Sequence, residues 1–125
     1  KYEEVMQTHR PALQAAIQGY YDEHQVVAML FPTTPFPATR LNGEDPNMKI
    51  NGKMVAEGFG HVIDHTIHQS AAGVPSLTVP AGLTSDGLPV GISFDGPLGS
   101  DRTLMAIARV FESARGPLPP PPVFG

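Results

Sequence analysis

The stretch between residues 73 and 94 constrains the fold most, because it has the pattern of two strands joined by a turn. Ser76–Pro80 and Pro89–Phe94 are short segments bounded by glycine and proline, as strands commonly are. Thr84–Gly87 lies between them, and its Asp-Gly pair is a strong hairpin signal. We therefore expect the two strands to be antiparallel neighbours.

A helix is predicted directly after the hairpin. Ser100 suits the N-cap position, and Asp101 follows in the first turn, where a carboxylate is favourable. Arg115 in the last turn, followed by Gly116 and Pro117, forms a stop signal. The apolar stripe of this helix comprises Leu104, Ile107, Ala108, Phe111 and Ala114.

The upstream half opens with an amphipathic pattern over Tyr2–Tyr21, which predicts a helix that breaks or kinks at Pro11, or a helix that starts at this proline. Val26–Phe31 follows without polar alternation. Such a run is typical of a strand that is buried on both faces in a parallel or mixed sheet. Downstream, Asn42-Gly43 and Asn51-Gly52 indicate tight turns, and His61–Ala72 has a helical pattern.

These elements predict one α/β domain, a sheet with helices packed on it, since 125 residues leave no room for a second core. The strand Val26–Phe31 lacks enough partners to cover both of its faces. We therefore expect the chain, which starts at Lys1 inside a helical pattern, to be part of a longer protein. Pairing of two copies through the uncovered sheet remains an alternative.

Charge, the length of apolar runs and cysteine content restrict the binding partners and the cellular compartment that the sequence predicts. A net charge of −4 without any basic block argues against a nucleic-acid partner. Runs of apolar residues are too short to span a bilayer, which argues against a membrane partner. The absence of cysteine excludes disulfides and thiolate chemistry and fits a reducing compartment, so a cytoplasmic location is predicted.

A histidine-rich segment could bind a metal. Steps of four and three bring His61, His65 and His68 to one side of a helix, with Asp64 beside them. The alternative is a set of polar residues facing a cleft or solvent. Two glycines weaken the start of the helix, and the segment lacks the glutamate of a metalloprotease helix. We therefore assign no metal and leave the histidines open.

Serine chemistry is also incomplete in this sequence. None of the serines lies in a G-x-S-x-G elbow, and none comes with its own base or oxyanion donors. No motif for a cofactor is present either. A complete nucleophilic site within these residues is therefore not predicted.

Three blocks of the sequence resemble the amidase-signature hydrolases. Gly73–Gly82 followed by Thr84–Ile92 is similar to the strand, V-P-x-G turn and D-G-L-P-x-G return strand of the C-terminal part of that family. Val26–Phe31 with the loop Pro32–Pro35 resembles its buried strand and P-T-x-P loop. Residues Asp95–Arg102 are most similar to the mandelamide and indoleacetamide hydrolase branch.

The resemblance implies a fragment of the mixed sheet of that family, flanked by helices, over residues 1–125 with a Pro-rich tail at 118–125. It implies an enzyme that hydrolyses a carboxamide to a carboxylate and ammonia by a Ser-Ser-Lys mechanism. The segments that carry those residues are absent here, so the expected partners are a small amide substrate and a missing N-terminal catalytic segment. The alternative is a non-catalytic binding or scaffold module derived from the same fold.

The resemblance also implies where a substrate would be contacted. The loops after Phe31 and before Gly73 are similar to those that line the acyl pocket of the family. One departure is that Ser70 and Ala71 stand where many members have an asparagine. The expected wall residues are Thr34, Phe36, Thr66, His68 and Ser70.

Overall fold

The computed structural model describes residues 1–39 and 47–120. In chain order the elements are α1 (Tyr2–Glu4), a π-helical segment (Val5–His9), α2 (Arg10–His24), β1 (Met29–Pro32), β2 (Met48–Ile50), β3 (Lys53–Val55), α3 (Gly58–Val62), α4 (Ile67–Ala72), β4 (Ser76–Leu83), β5 (Pro89–Asp95) and α5 (Asp101–Arg115). The predicted turn at Asn42-Gly43 and the end of the Pro-rich tail lie outside the described residues.

The main sheet has the order β1-β5-β4, with β5 antiparallel to both neighbours. The predicted hairpin is confirmed, and its register places Ser76 opposite Asp95 and Thr78 opposite Ser93. A second hairpin joins β2 to β3 through Asn51 and Gly52, whose φ angles are 50° and 80°. Both angles are positive, as the favoured two-residue hairpin turn requires, so that predicted turn is also confirmed.

Helix α5 packs on one face of the main sheet, and the hydrophobic core lies between them. Leu104 and Ala108 are buried against Val79 and Phe94, and the rings of Phe94 and Phe111 meet edge to face at 5.6 Å. The predicted stripe is confirmed except at its end, where Ala114 is exposed.

The cap of α5 differs from the prediction. Ser100 occupies the N-cap position and accepts the backbone N–H of Leu104 at 3.0 Å through its own carbonyl. Its hydroxyl makes no capping bond and is buried, and none of the residues that the structure describes is hydrogen-bonded to it. Sequence alone identified where the helix begins but not how its first N–H groups are satisfied.

The N-terminal helix accommodates Pro11 without a break. Proline has no N–H, and its ring presses on the carbonyl four residues earlier, here that of Gln7. The π-helical segment Val5–His9 widens the helix at that level, and α2 continues from Arg10 to His24. The predicted break is therefore absent, and the alternative of a helix that starts at the proline is nearer to the structure, since α2 begins at Arg10 with Pro11 in its first turn. The helix also extends past its predicted end.

Two predicted elements are shorter than expected. Strand β1 starts at Met29, and Leu30 is 56% exposed because β1 is an edge strand that α5 does not cover. The prediction that this strand is buried on both faces is therefore wrong for the described residues. The predicted helix over His61–Ala72 divides into α3 and α4, separated by a turn at residues 63–66. In the part of the chain that is described, no helix is both long and apolar enough to cross a bilayer.

The core makes a direct stability prediction. Leu104→Ala removes a side chain that is 1% exposed, so we expect a loss of about 3 kcal/mol in the free energy of unfolding. The matched control is Met105→Ala at the next position, where the side chain is 66% exposed and the loss should stay within about 0.5 kcal/mol. Urea unfolding followed by circular dichroism measures both, and equal losses would show that α5 packs through a different face.

Candidate functional site

The two faces of the main sheet differ in chemistry. Side chains alternate along a strand, so Ile92 and Phe94 of β5 point toward α5 while Ser93 and Asp95 point to the opposite side. On that side Ser93 lies opposite Thr78, and Asp95 lies opposite Ser76. We call this surface the polar face.

Three hydroxyl groups form a cluster at the centre of the polar face. The Ser93 Oγ lies 2.8 Å from Thr33 Oγ1 and 2.9 Å from Thr78 Oγ1, and the Thr33 hydroxyl also points at Thr78 Oγ1 at 3.4 Å. Gly91 makes room for this arrangement. A Cβ at that position would lie 2.9 Å from both Thr33 Oγ1 and Thr78 Cγ2, too close for either to stay in place.

Asp95 lies at the end of β5 and is buried, with 1% of its surface exposed. Neither carboxyl oxygen has a hydrogen-bond partner among the described residues. Burial raises the pKa of this carboxyl, whereas the nearby Ser76 hydroxyl and the charge of His68 lower it in part. The Ser76 hydroxyl approaches the carboxyl without reaching the geometry of a full hydrogen bond.

Tyr21 joins the long N-terminal helix to this end of the sheet. Its hydroxyl donates to the backbone carbonyl of Asp95 at 2.7 Å. Burial, and next the charge of Asp95, raises the pKa of the Tyr21 hydroxyl, so the group stays protonated and can keep donating. The helix thereby fixes the backbone beside the unpaired carboxyl.

The histidines expected on one helix side diverge. His61 Nδ1 contacts Asp64 Oδ2 at 2.9 Å, while His65 Nδ1 contacts the Pro32 carbonyl at 2.7 Å. They diverge because the segment breaks between α3 and α4. Within residues 1–39 and 47–120, no three His, Cys, Asp or Glu side chains are grouped to hold a metal ion.

The five expected wall residues do not share one cavity. Thr34 and Phe36 line a cavity of about 290 Å³ with prolines of the loop after β1, whereas Ser70 lines another of about 660 Å³ with Gln69 and Ser76. The hydroxyl of Thr66 donates to the Ile63 carbonyl at 3.0 Å, a bond within its own turn. His68 is near enough to Asp95 to influence its pKa.

Sequence reasoning missed the residues of the polar face. Thr33, Thr78, Ser93 and Asp95 were not singled out, although Ser93 and Asp95 stand at alternate positions of an otherwise apolar strand. That alternation was the available signal. It predicts a strand with one polar face, but it does not tell which partners meet there.

Comparison with known proteins identifies the family of this fold. Residues 1–105 match the Amidase family. The chain belongs to the amidase family. This match confirms the resemblance to the amidase-signature hydrolases that the hairpin block and the P-T-x-P loop indicated.

Relatives of this amidase chain include two kinds of named hydrolase. It is 42% identical over 114 residues to indoleacetamide hydrolase of Agrobacterium vitis, covering 91% of the chain and 24% of that relative. It is 37% identical over 121 residues to mandelamide hydrolase of Pseudomonas putida, covering 94% of the chain and 22% of that relative. The chain spans about a quarter of the length of these curated relatives.

Solved structures agree with the fold. The crystal structure of an amidase superposes with a TM-score of 0.64 at 26% identity, over 82% of this chain and 23% of that one. A bacterial aryl acylamidase of the amidase-signature family superposes with a TM-score of 0.62 at 29% identity, over 84% and 21%. The α/β architecture is therefore that of part of an amidase-signature domain.

The hydroxyl cluster predicts a measurable contribution to stability. Ser93→Ala leaves Thr33 and Thr78 without their shared partner, so we expect a loss of about 1–2 kcal/mol in the free energy of unfolding. Ser113→Ala is the matched control, since the Ser113 hydroxyl is exposed and bonds only the Arg109 carbonyl. Thermal unfolding of both variants separates the cases, and a Ser93→Ala protein as stable as the control would contradict the cluster.

Proposed function

We propose that this chain is the C-terminal part of an enzyme that hydrolyses a carboxamide to a carboxylate and ammonia. The observation that carries the proposal is the similarity over nine-tenths of the chain to hydrolases of indoleacetamide and mandelamide. Both relatives are named for amides that carry an aromatic ring. An arylacetamide-type substrate is therefore the class that we propose.

We place the Ser-Ser-Lys groups of this proposal outside these residues. The hydrogen bonds of the described serines support this, because none of them joins a serine hydroxyl to a lysine or a histidine. Ser93 is committed to its two threonines, and the Ser100 hydroxyl is buried against α5. An amidase needs a nucleophile with a base and oxyanion donors in reach of one carbonyl.

This chain would then contribute a wall of the substrate pocket. Phe36 and the prolines beside it give an apolar surface around a cavity of about 290 Å³, large enough for one aromatic ring. Thr34 sits at the same cavity and orients the loop through a bond from its hydroxyl to the Phe36 carbonyl at 2.9 Å. We propose Thr66, His68 and Ser70 as further substrate contacts, although within the described residues Ser70 lines the separate cavity of about 660 Å³.

The remaining parts of the proposal concern location and assembly. The cysteine-free composition supports a cytoplasmic enzyme, and its partner is a small-molecule amide rather than a nucleic acid or a membrane. The exposed edge at Leu30 is the surface at which further sheet, or a second copy, would add.

Amide hydrolysis tests the proposed function. The whole protein that carries this chain should release ammonia from indole-3-acetamide or mandelamide, measured with a coupled glutamate dehydrogenase assay. The 125-residue segment alone should release none, because it has no activated nucleophile. Failure of the whole protein to release ammonia from either amide would favour the alternative, a binding or scaffold module.

Phe36 tests the proposed pocket wall. In the whole protein, Phe36→Ala should raise KM for an aromatic amide about ten-fold, since it removes part of the apolar burial of the ring. Tyr2→Ala is the control, because that aromatic side chain is exposed at the start of α1. An unchanged KM with reduced stability would mean that Phe36 supports the loop without contacting substrate.

A further inference from the structure

The loop after β1 and the turn before α4 are joined by the side chain of His65. Its Nδ1 lies 2.7 Å from the backbone carbonyl of Pro32, 33 positions earlier in the chain. The ring of His65 also meets the ring of Phe31 edge to face, with the two centroids 5.6 Å apart. Two contacts of different kinds therefore fix one imidazole against the last two residues of β1.

The acceptor at this contact determines which nitrogen of the His65 ring carries a proton. A carbonyl oxygen can only accept, so the proton of this hydrogen bond belongs to Nδ1. When the ring is neutral, Nε2 then carries no proton. The contact therefore defines the tautomer of His65, which is a property that can be measured.

The two segments that this bond joins are each held in shape by bonds of their own. Beside His65, the backbone N–H and the hydroxyl of Thr66 both donate to the Ile63 carbonyl, at 2.9 Å and 3.0 Å. In the loop after β1, the Thr34 hydroxyl donates to the Phe36 carbonyl at 2.9 Å. Because each segment is fixed internally, the bond from His65 is placed to set the distance between them.

We propose that His65 is a positioning residue, which holds the loop of Phe36 at a fixed distance from Thr66 and thereby shapes the pocket for the aromatic ring of the substrate. The inference rests on the proposed function, in which both segments contribute wall residues. His65 acts through the carbonyl of Pro32 and touches neither the substrate nor the reacting groups.

The bond contributes position more than stability. Pro32 is exposed, so water can replace the imidazole at its carbonyl when His65 is substituted. The free energy of unfolding should then change little, whereas the loop loses the contact that sets its distance from α4. A histidine with a purely structural role would give the reverse, a lower Tm with unchanged substrate binding, and that result would overturn the proposal.

Three variants of the whole protein test the proposal. His65→Leu keeps an apolar side chain beside Phe31 but has no donor. His65→Asn keeps a donor, because its side-chain nitrogen lies the same number of bonds from the backbone as Nδ1 does. His61→Ala is the matched control, since the exposed His61 bonds Asp64 of its own segment and not the loop after β1.

We expect His65→Leu to raise KM for indole-3-acetamide about five-fold while kcat and Tm stay nearly unchanged, because the wall is displaced and the reacting groups are not. His65→Asn should bring KM back toward the wild-type value, and the control should leave it unchanged. An unchanged KM for His65→Leu, or no recovery in His65→Asn, would overturn the proposal.

A double variant tests whether His65 acts through the loop. In a Phe36→Ala background, His65→Leu should raise KM no further, since the side chain that the loop positions is already gone. Additive effects of the two substitutions would show that His65 acts by another route and would also reject the proposal.

A second kind of measurement needs no variant. Nitrogen-15 NMR of the neutral His65 ring in the wild-type whole protein shows which nitrogen is protonated, and a proton on Nε2 would exclude the bond to the Pro32 carbonyl. Ammonia release is measured on the same preparation. A protein that hydrolyses amides with the proton on Nε2 rejects this inference and keeps the proposed function. A protein that hydrolyses neither amide rejects the proposed function and, with it, a role for His65 in a substrate pocket.

Discussion

The two-faced character of β5 is the constraint on which the rest of the structure depends. Strand β5 lies between β1 and β4, so the side chains on each of its faces must pack beside those of both neighbouring strands. Ile92 and Phe94 pack toward α5 on one face. Because side chains alternate along the strand, Gly91, Ser93 and Asp95 lie on the other face. A shift of one residue in the register would place the carboxyl of Asp95 in the apolar core and Phe94 among the hydroxyl groups of the polar face.

The polar groups at the centre of the polar face and those at its end differ in how they are hydrogen-bonded. At the centre, β4, β5 and the residue directly after β1 each supply one hydroxyl, and the hydroxyls satisfy one another. At the end of β5, Tyr21 satisfies the Asp95 backbone carbonyl, but nothing described satisfies the carboxyl. The hydroxyl cluster is satisfied within the sheet, whereas the Asp95 carboxyl is buried and its pKa is raised mainly by that burial.

Local elements were predictable because their signals lie within a few residues of one another. The hairpin follows from Asp86-Gly87 between two strands, and α5 follows from its apolar spacing and its stop at Gly116. The candidate site was not predictable to the same degree. The hydroxyl cluster joins Thr33 to Ser93, 60 positions apart, and His65 leaves its expected neighbours to meet the Pro32 carbonyl. Such pairings depend on how the elements pack, which no short window of sequence contains.

Exposed apolar surface and unpaired polar atoms lie on two neighbouring strands, β1 and β5. Leu30 of the edge strand β1 is largely exposed, while Asp95, opposite Met29 across the ladder, is buried without a donor. A self-contained domain would have the reverse, with covered edge strands and paired polar groups. Additional sheet beside β1 would cover the exposed edge at Leu30. In the enzyme that we propose, these residues would supply framework and a pocket wall, and the reacting groups would come from segments outside this chain.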